Sequence, residues 1–276
     1  MMRFPKRTLI LFVLLGFSSP LLWCAPKAGS GEDILQETAR AYRGLKTYQA
    51  VVLTTMEMGK TVSTRSTLAV ERPNRLALLT RSVMSGITLI SDGKRIYVYL
   101  PASGKYTVKD APEDFEMFAE VLGPDLMAQG DNCSLYGFLG LLKANPYQEL
   151  TEGVEKIRVL GEENLDGTKT RHLRLEQKGG IIDLWIDATN YLIRKIRVEV
   201  DVSKVRDTAG ETEKTSLPAD DRKIIVAETH KEVKVNEPIP SVVFTFTPPE
   251  GAQETDDFLS LTSPDTAGWE TRSTVK

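Results

Sequence analysis

Two cysteines and two histidines are all that the 276 residues contain, and each scarcity excludes a class of protein. Cys24 sits at the end of an apolar leader, so a processed chain would keep only Cys133, and an intramolecular disulfide is excluded. The fold has to be held by its core. His172 and His230 stand far apart, with no Gly-x-Ser-x-Gly, Walker or paired-cysteine pattern, which removes the common hydrolase, nucleotide and zinc signatures. Neither catalysis nor a metal or other cofactor is expected. Positive charge is short as well. Removal of residues 1–24 would take away Arg3, Lys6 and Arg7 and no carboxylate, moving the formal net charge from −3 to −6, so nucleic acid is not an expected partner. Internal repeats are also absent.

Long apolar runs are missing except for Leu9 to Leu15, which follows Arg3, Lys6 and Arg7 and ends in Gly16, Phe17 and a Ser-Ser-Pro break. A hydrocarbon core needs about 20 apolar residues to be crossed. The shorter run reads as a secretory signal peptide, residues 1–24, with cleavage as late as residue 28. The mature chain is then expected to be exported and soluble, beginning near Ala25 or Gly29. A second reading stays open: Leu21, Leu22, Trp23 and Cys24 have the leucines of a lipobox, with Trp23 where a small residue is usual, and a lipid on Cys24 would tether the protein.

What remains is rich in short β-patterned runs. Residues 32–45 place Ile34, Leu35, Thr38, Ala41, Tyr42 and Leu45 on one helical stripe. Six strands follow at 47–58, 61–71, 75–83, 86–91, 95–100 and 105–109, separated by Gly, Asn, Asp or Pro, the pattern of an antiparallel meander. Asp92-Gly93 suits a tight hairpin because Gly93 takes positive φ without steric cost. Lid helices are expected over about 112–143. The first has a capping-box spacing at Asp110 and Glu113 and a stripe of Phe115, Phe118, Val121 and Leu122. The second, from about Asn132 to Lys143 with a stop at Asn145-Pro146, is apolar nearly all round and has to be covered on most sides. Further strands are expected at 154–161, 169–177, 181–187, 191–203, 222–235 and 241–247. In 196–202 the residues Ile196, Val198, Val200 and Val202 face opposite to Arg197, Glu199 and Asp201. The polar stretch 203–221 reads as a mobile loop, and 258–276 as a polar tail.

Three stretches, ERPNRL (71–76), LISDGKRIYVYLP (89–101) and FTFTPPEGAQETDD (244–257), resemble the periplasmic outer-membrane lipoprotein carriers, the LolA-like proteins. The order of helix, six strands, lid helices and remaining strands is similar too. The resemblance implies an α+β, mainly antiparallel fold: a single domain over 25–257, an incomplete, half-open β-barrel of about 11 or 12 strands whose apolar concave face is covered by helices. It implies a non-catalytic carrier for the acyl chains of lipoproteins or lipids, monomeric and periplasmic, working with an inner-membrane release complex and an outer-membrane acceptor. On this resemblance Arg72 is the arginine that latches the lid. Arg75 and Leu76 depart from the pattern, where two apolar residues are usual. Two other classes share such a fold: a lipid or lipoprotein sensor, and an acceptor tethered through Cys24.

The candidate cavity and lid residues are Arg72; Tyr48, Val52, Met56 and Met58 on the first strand; Ile96, Val98 and Leu100 on the fifth; and Phe118, Phe138 and Leu142 on the lid. Each apolar residue taken alone reads as ordinary core. Together the Met-rich strand and the all-round apolar helix suggest a core that can open, since Met repacks at little cost. Arg72, at a strand end, could equally be a solvated cap; as a latch its five-donor fork would satisfy carbonyls at a helix end. His230 and Glu228 would share a strand face at about 7 Å, reading as polar groups on a wet face rather than as a site. Asp183 and Asp187, about 13 Å apart, are too distant for a carboxylate pair. Cys133 reads as a small buried hydrophobe.

Overall fold

Alternating apolar residues from Thr47 onward pair into one sheet. The computed structural model describes residues 29–81, 86–123, 133–201 and 223–256. The leader, the 203–221 loop and the 258–276 tail lie outside the described residues. Among the described residues there are twelve strands: β1 (Thr47–Met58), β2 (Lys60–Glu71), β3 (Arg75–Arg81), β4 (Ile87–Ser91), β5 (Arg95–Leu100), β6 (Lys105–Asp110), β7 (Val154–Leu165), β8 (Thr168–Gln177), β9 (Gly180–Asp187), β10 (Ile193–Asp201), β11 (Lys223–Val235) and β12 (Gln253–Glu254). They form a single open sheet in the order β12-β6-β5-β4-β3-β2-β1-β11-β10-β9-β8-β7. All neighbours are antiparallel except β12, which runs parallel to β6. The sheet is an incomplete barrel, with β12 and β7 as its two edges.

Helix α1 (Gly31–Arg43) begins in a capping box: Ser30 Oγ accepts from the Asp33 N–H while the Asp33 carboxylate accepts from the Ser30 N–H. Its buried stripe is Ile34, Leu35, Thr38, Ala39 and Tyr42, with Ala39 in the place expected for Ala41. Helices α2 (Phe118–Leu122), α3 (Cys133–Leu142) and α4 (Pro146–Thr151) complete the inner layer. Leu135, Phe138, Leu139, Leu141 and Leu142 of α3 are all buried, as an all-round apolar helix requires.

Three sequence expectations change. The helix expected from residue 112 is confined to Phe118–Leu122. Asp110 does not cap it, because Asp110 pairs with Arg95 at the end of β6, and the Asn74 amide donates to the Pro112 carbonyl at 2.7 Å, holding the chain in a turn. Asn145-Pro146, read as a helix stop, is also a helix start: Asn145 Oδ1 accepts from the Gln148 N–H, and Pro146 stands in the first turn of α4. The strand expected at 241–247 is instead a 3-10 turn, Ser241–Phe244. This segment crosses the outer face of the sheet as a strap. Phe244 and Ile239 are buried there with Ala69, Ala77 and Ile90, while Phe246 packs against Tyr97 at 5.1 Å between ring centroids. The chain reaches the sheet again only at β12. Pro238, Pro240, Pro248 and Pro249 lack the N–H groups a ladder needs.

Candidate functional site

The concave face divides into three regions. The first is packed core: Ile96, Val98 and Leu100 of β5 share a buried cluster with Phe115, Phe118 and Leu122. The second is an aromatic hub where α1, β1, α3 and β11 meet. There Tyr48 lies 4.9 Å from Phe138, Tyr42 lies 6.2 Å from Phe138, and Phe138 stacks on His230 at 6.0 Å. The Tyr48 hydroxyl is hydrogen-bonded to His230 Nδ1 at 2.7 Å, and burial pushes both the Tyr42 and the Tyr48 phenols well above their ordinary pKa. Both are therefore neutral at physiological pH.

The third region is a cavity of about 280 Å³ between α3, α4 and the inner face of β8, β9 and β10. Leu141 and Leu150 from the helices and Leu175, Ile182, Leu184 and Ile193 from the strands give it an apolar wall. Gly137 and Gly140 supply the helix side: a Cβ at Gly137 would meet nothing within 4 Å, whereas one at Gly140 would come within 3.2 Å of Glu149 Oε2, so Gly140 lets α4 approach and Gly137 leaves space open. Glu149 and Glu152 stand among the lining residues, and Lys143 pairs with Glu149 at 3.0 Å. The volume is close to the lower bound of small-molecule pockets, about 300 Å³.

The candidate residues fall unevenly across these regions. Tyr48 and Phe138 are in the hub, and Leu142 is buried in the main core cluster. Val52 and Phe138 line a second, much smaller void of about 10 Å³. Ile96, Val98, Leu100 and Phe118 belong to the packed core. Met56 is half-buried near the far end of β1, and the Met58 side chain lies outside the described residues. None of the eleven lines the 280 Å³ cavity. Ile196 and Val198 do, and their alternation along β10 was the available signal; the paired glycines of α3 were another.

Arg72 is half-buried at the turn between β2 and β3. Its Nε donates to the Leu45 carbonyl at 3.0 Å and its Nη2 to the Tyr42 carbonyl at 3.4 Å, just where α1 ends. The fork thus fastens the end of α1 and the turn after it, the Tyr42 carbonyl also accepting from the Leu45 N–H, and the helix is α1. Burial lowers the pKa of this guanidinium, against the pull of the Asp114 carboxylate. Asn74 continues the motif, its amide donating to Gly93 and Pro112 carbonyls while its own carbonyl accepts from Ser91 Oγ. Arg75 faces outward, with its guanidinium 4.4 Å from the centre of the Phe244 ring and Nη2 donating to the Ser241 carbonyl. The departure from the carrier pattern therefore fastens the strap.

The wet-face reading of Glu228 and His230 is overturned: both are buried on the concave side. Asp183 and Asp187 are separately committed. Arg174 makes two hydrogen bonds to Asp183, and Arg194 donates to Asp187 beside the N–H groups of Thr189 and Asn190. Among the described residues no cluster of His, Cys, Asp and Glu fits a metal ion. Cys133 opens α3, and its side chain lies outside the described residues.

The profile of the family described as "Predicted periplasmic protein (DUF2092)" matches residues 31–256. The chain belongs to the DUF2092 family. This span covers α1 through β12, and the family places the DUF2092 protein in the periplasm. No curated protein matches its sequence at a significant level. Among solved structures, the DUF2092 protein is similar to the Mycobacterium tuberculosis lipoprotein LppX, at 14% identity and a TM-score of 0.42 over 76% of this chain and 97% of that one. It is similar to LprF from Mycobacterium bovis at 14% identity and 0.36, over 77% and 97%. A LolA superfamily protein from Nitrosomonas europaea gives 12% identity and 0.34, over 79% and 99%.

Proposed function

We propose that the DUF2092 protein is a non-catalytic periplasmic carrier that shelters an acyl chain of a lipid or lipoprotein between α3, α4 and the sheet. The observation that carries this is the apolar cavity of about 280 Å³ against β8, β9 and β10. An apolar cavity of this size between the helices and the sheet would be costly to maintain without an occupant of like polarity, because apolar surface is stabilised only when it leaves water. Gly137, with nothing within 4 Å of where its Cβ would be, leaves part of the space unfilled by α3. The Arg72 fork, by fixing the end of α1, holds one wall of the hub while α3 and α4 shift for a longer chain. Delivery from an inner-membrane release complex to an outer-membrane acceptor is the pathway such a carrier would serve.

The reading is tested by titration calorimetry with C12 to C18 acyl compounds at several temperatures. Binding should have a negative heat-capacity change, because apolar surface is buried. Ile182→Trp, which puts a large side chain into the cavity wall, should weaken binding about tenfold or more, a loss of roughly 1.4 kcal/mol. Absence of heat with every acyl compound, together with no enhancement of a hydrophobic fluorophore, would sink the carrier reading.

A further inference from the structure

Beside the hub the concave face is not apolar. The strand register brings Glu228, Thr54 and Thr64 into one cross-strand row over β11, β1 and β2. The adjacent row is His230, Val52, Ser66 and Thr80 over β11, β1, β2 and β3. All six polar side chains are in residues no more than 7% exposed. Such a patch in the middle of an otherwise apolar concavity needs a reason, since each buried polar group loses its water.

Some of it is satisfied internally: Ser66 Oγ and Thr80 Oγ1 are 2.8 Å apart, and His230 Nδ1 is bonded to the Tyr48 hydroxyl at 2.7 Å. The rest has spare capacity. Thr64 Oγ1 is buried with no hydrogen-bond partner. Among the described residues the Glu228 carboxylate has only His230 Nε2, at 3.8 Å, beyond hydrogen-bonding distance. Glu228, His230 and Ser66 line the void of about 10 Å³ beneath Leu135 and Phe138 of α3, and Thr64 lies one cross-strand row from Ser66 on the same face of β2. That space holds roughly one water-sized probe.

We propose that this polar row is a binding subsite for the hydroxyl-bearing end of a neutral acyl lipid, a monoacylglycerol-like ester whose chain runs on under α3 and α4. The inference rests on the carrier reading and names the ligand class it would prefer. An ionised carboxylate accepts and does not donate, so Glu228 calls for a donor on the ligand. Thr64, unpartnered on the far side of Thr54 in the same row, offers a second hydrogen-bonding hydroxyl to a headgroup that extends along the row. A bare methyl ester would leave Glu228 unpaired in a dry site, and a fatty carboxylate or phosphate would meet it as a like charge. Phe138 has to swing aside for the headgroup, which ties occupancy of the row to displacement of the lid.

The test titrates the full-length mature protein with 1-monomyristoylglycerol, methyl myristate and myristate, each below its aggregation threshold. The expected result is that the monoacylglycerol binds about tenfold or more tightly than either of the others, the discrimination of one charge-assisted hydrogen bond. Thr64→Val should weaken monoacylglycerol binding about threefold to tenfold while leaving methyl myristate unchanged. Glu228→Gln should improve myristate binding relative to wild type, because the like charge is gone. Equal affinity for all three compounds in the wild type, or preference for the methyl ester, would overturn the subsite and leave the carrier reading standing. Failure of all three to bind would overturn the carrier reading itself. The wild-type comparison needs no variant, so a misfolded Glu228→Gln protein would not blunt the test.

Discussion

At the scale of single residues, Arg72 shows how a motif and its surroundings divide the information. The arginine stood out in ERPNRL, but the partners of its fork come from α1, some 30 positions earlier in the chain, and spacing alone does not disclose them. A hydrogen bond from a charged group is worth about 1.5 to 3 kcal/mol, so Arg72→Leu is expected to lower unfolding stability by that order. Arg72→Lys should fall between, because an ammonium keeps the charge and loses the fork. Urea unfolding of the three proteins checks this; equal midpoints would return Arg72 to a solvated strand-end residue. Glu228 and His230 illustrate the opposite case. Period-two alternation placed them on one face of β11, yet which face is interior depends on β1 and α3, so their burial was not legible. The cavity-lining glycines of α3 were a signal only as a pair, since Gly137 and Gly140 taken singly look in sequence like ordinary helix interruptions.

At the scale of elements, boundaries came out well wherever Gly, Asn or Asp ended a β-rich run, as at Gly59 and at the Asp92-Gly93 turn, where both glycines have positive φ. They failed where proline carried two meanings, at Pro112, Pro146 and the strap. The β9 to β10 turn has a pH consequence of its own. Burial acts to raise the Asp187 pKa, but the Thr189 and Asn190 N–H groups and the Arg194 guanidinium outweigh it and hold the carboxyl below its ordinary value. A carboxyl lowered in the folded state contributes stability that is complete above its unfolded pKa, about 3.9, and is lost as pH falls through the folded value. Asp187→Asn should therefore destabilise the protein by about 1.5 to 3 kcal/mol near neutral pH, and the gap from wild type should close below about pH 4. Thermal melts across that range give the answer; a gap that stayed constant down to pH 2 would show that the charge on Asp187 contributes nothing.

At the scale of the whole molecule, the meander of six strands was legible because each pairing is local, whereas the pairing of β1 with β11 spans most of the chain and could come only through resemblance to a known fold. That pairing joins the two halves of the sheet and leaves it open at β12 and β7. An open sheet invites edge-to-edge association, and the two edges meet the problem differently. The β6 side is covered by the two residues of β12, held by the Tyr106 hydroxyl donating to the Glu254 carboxylate. On the β7 side register shifts interrupt the pairing with β8 at Val154/Lys156 and at Val159/Gly161, and the exposed Glu155, Lys156, Arg158 and Glu162 line the strand. Bulges and charge on a free edge disfavour a second strand, so the protein is expected to be monomeric at about 100 µM, in the range where unprotected edges associate. Replacing Lys156 and Arg158 with Val, residues of high β-propensity, neither of which lines the cavity, should give concentration-dependent self-association with unchanged acyl-chain affinity. Light scattering over a dilution series reads the mass directly: a wild-type dimer, or a double variant that stays monomeric at the same concentrations, would show that the charged edge of β7 does not set the assembly state.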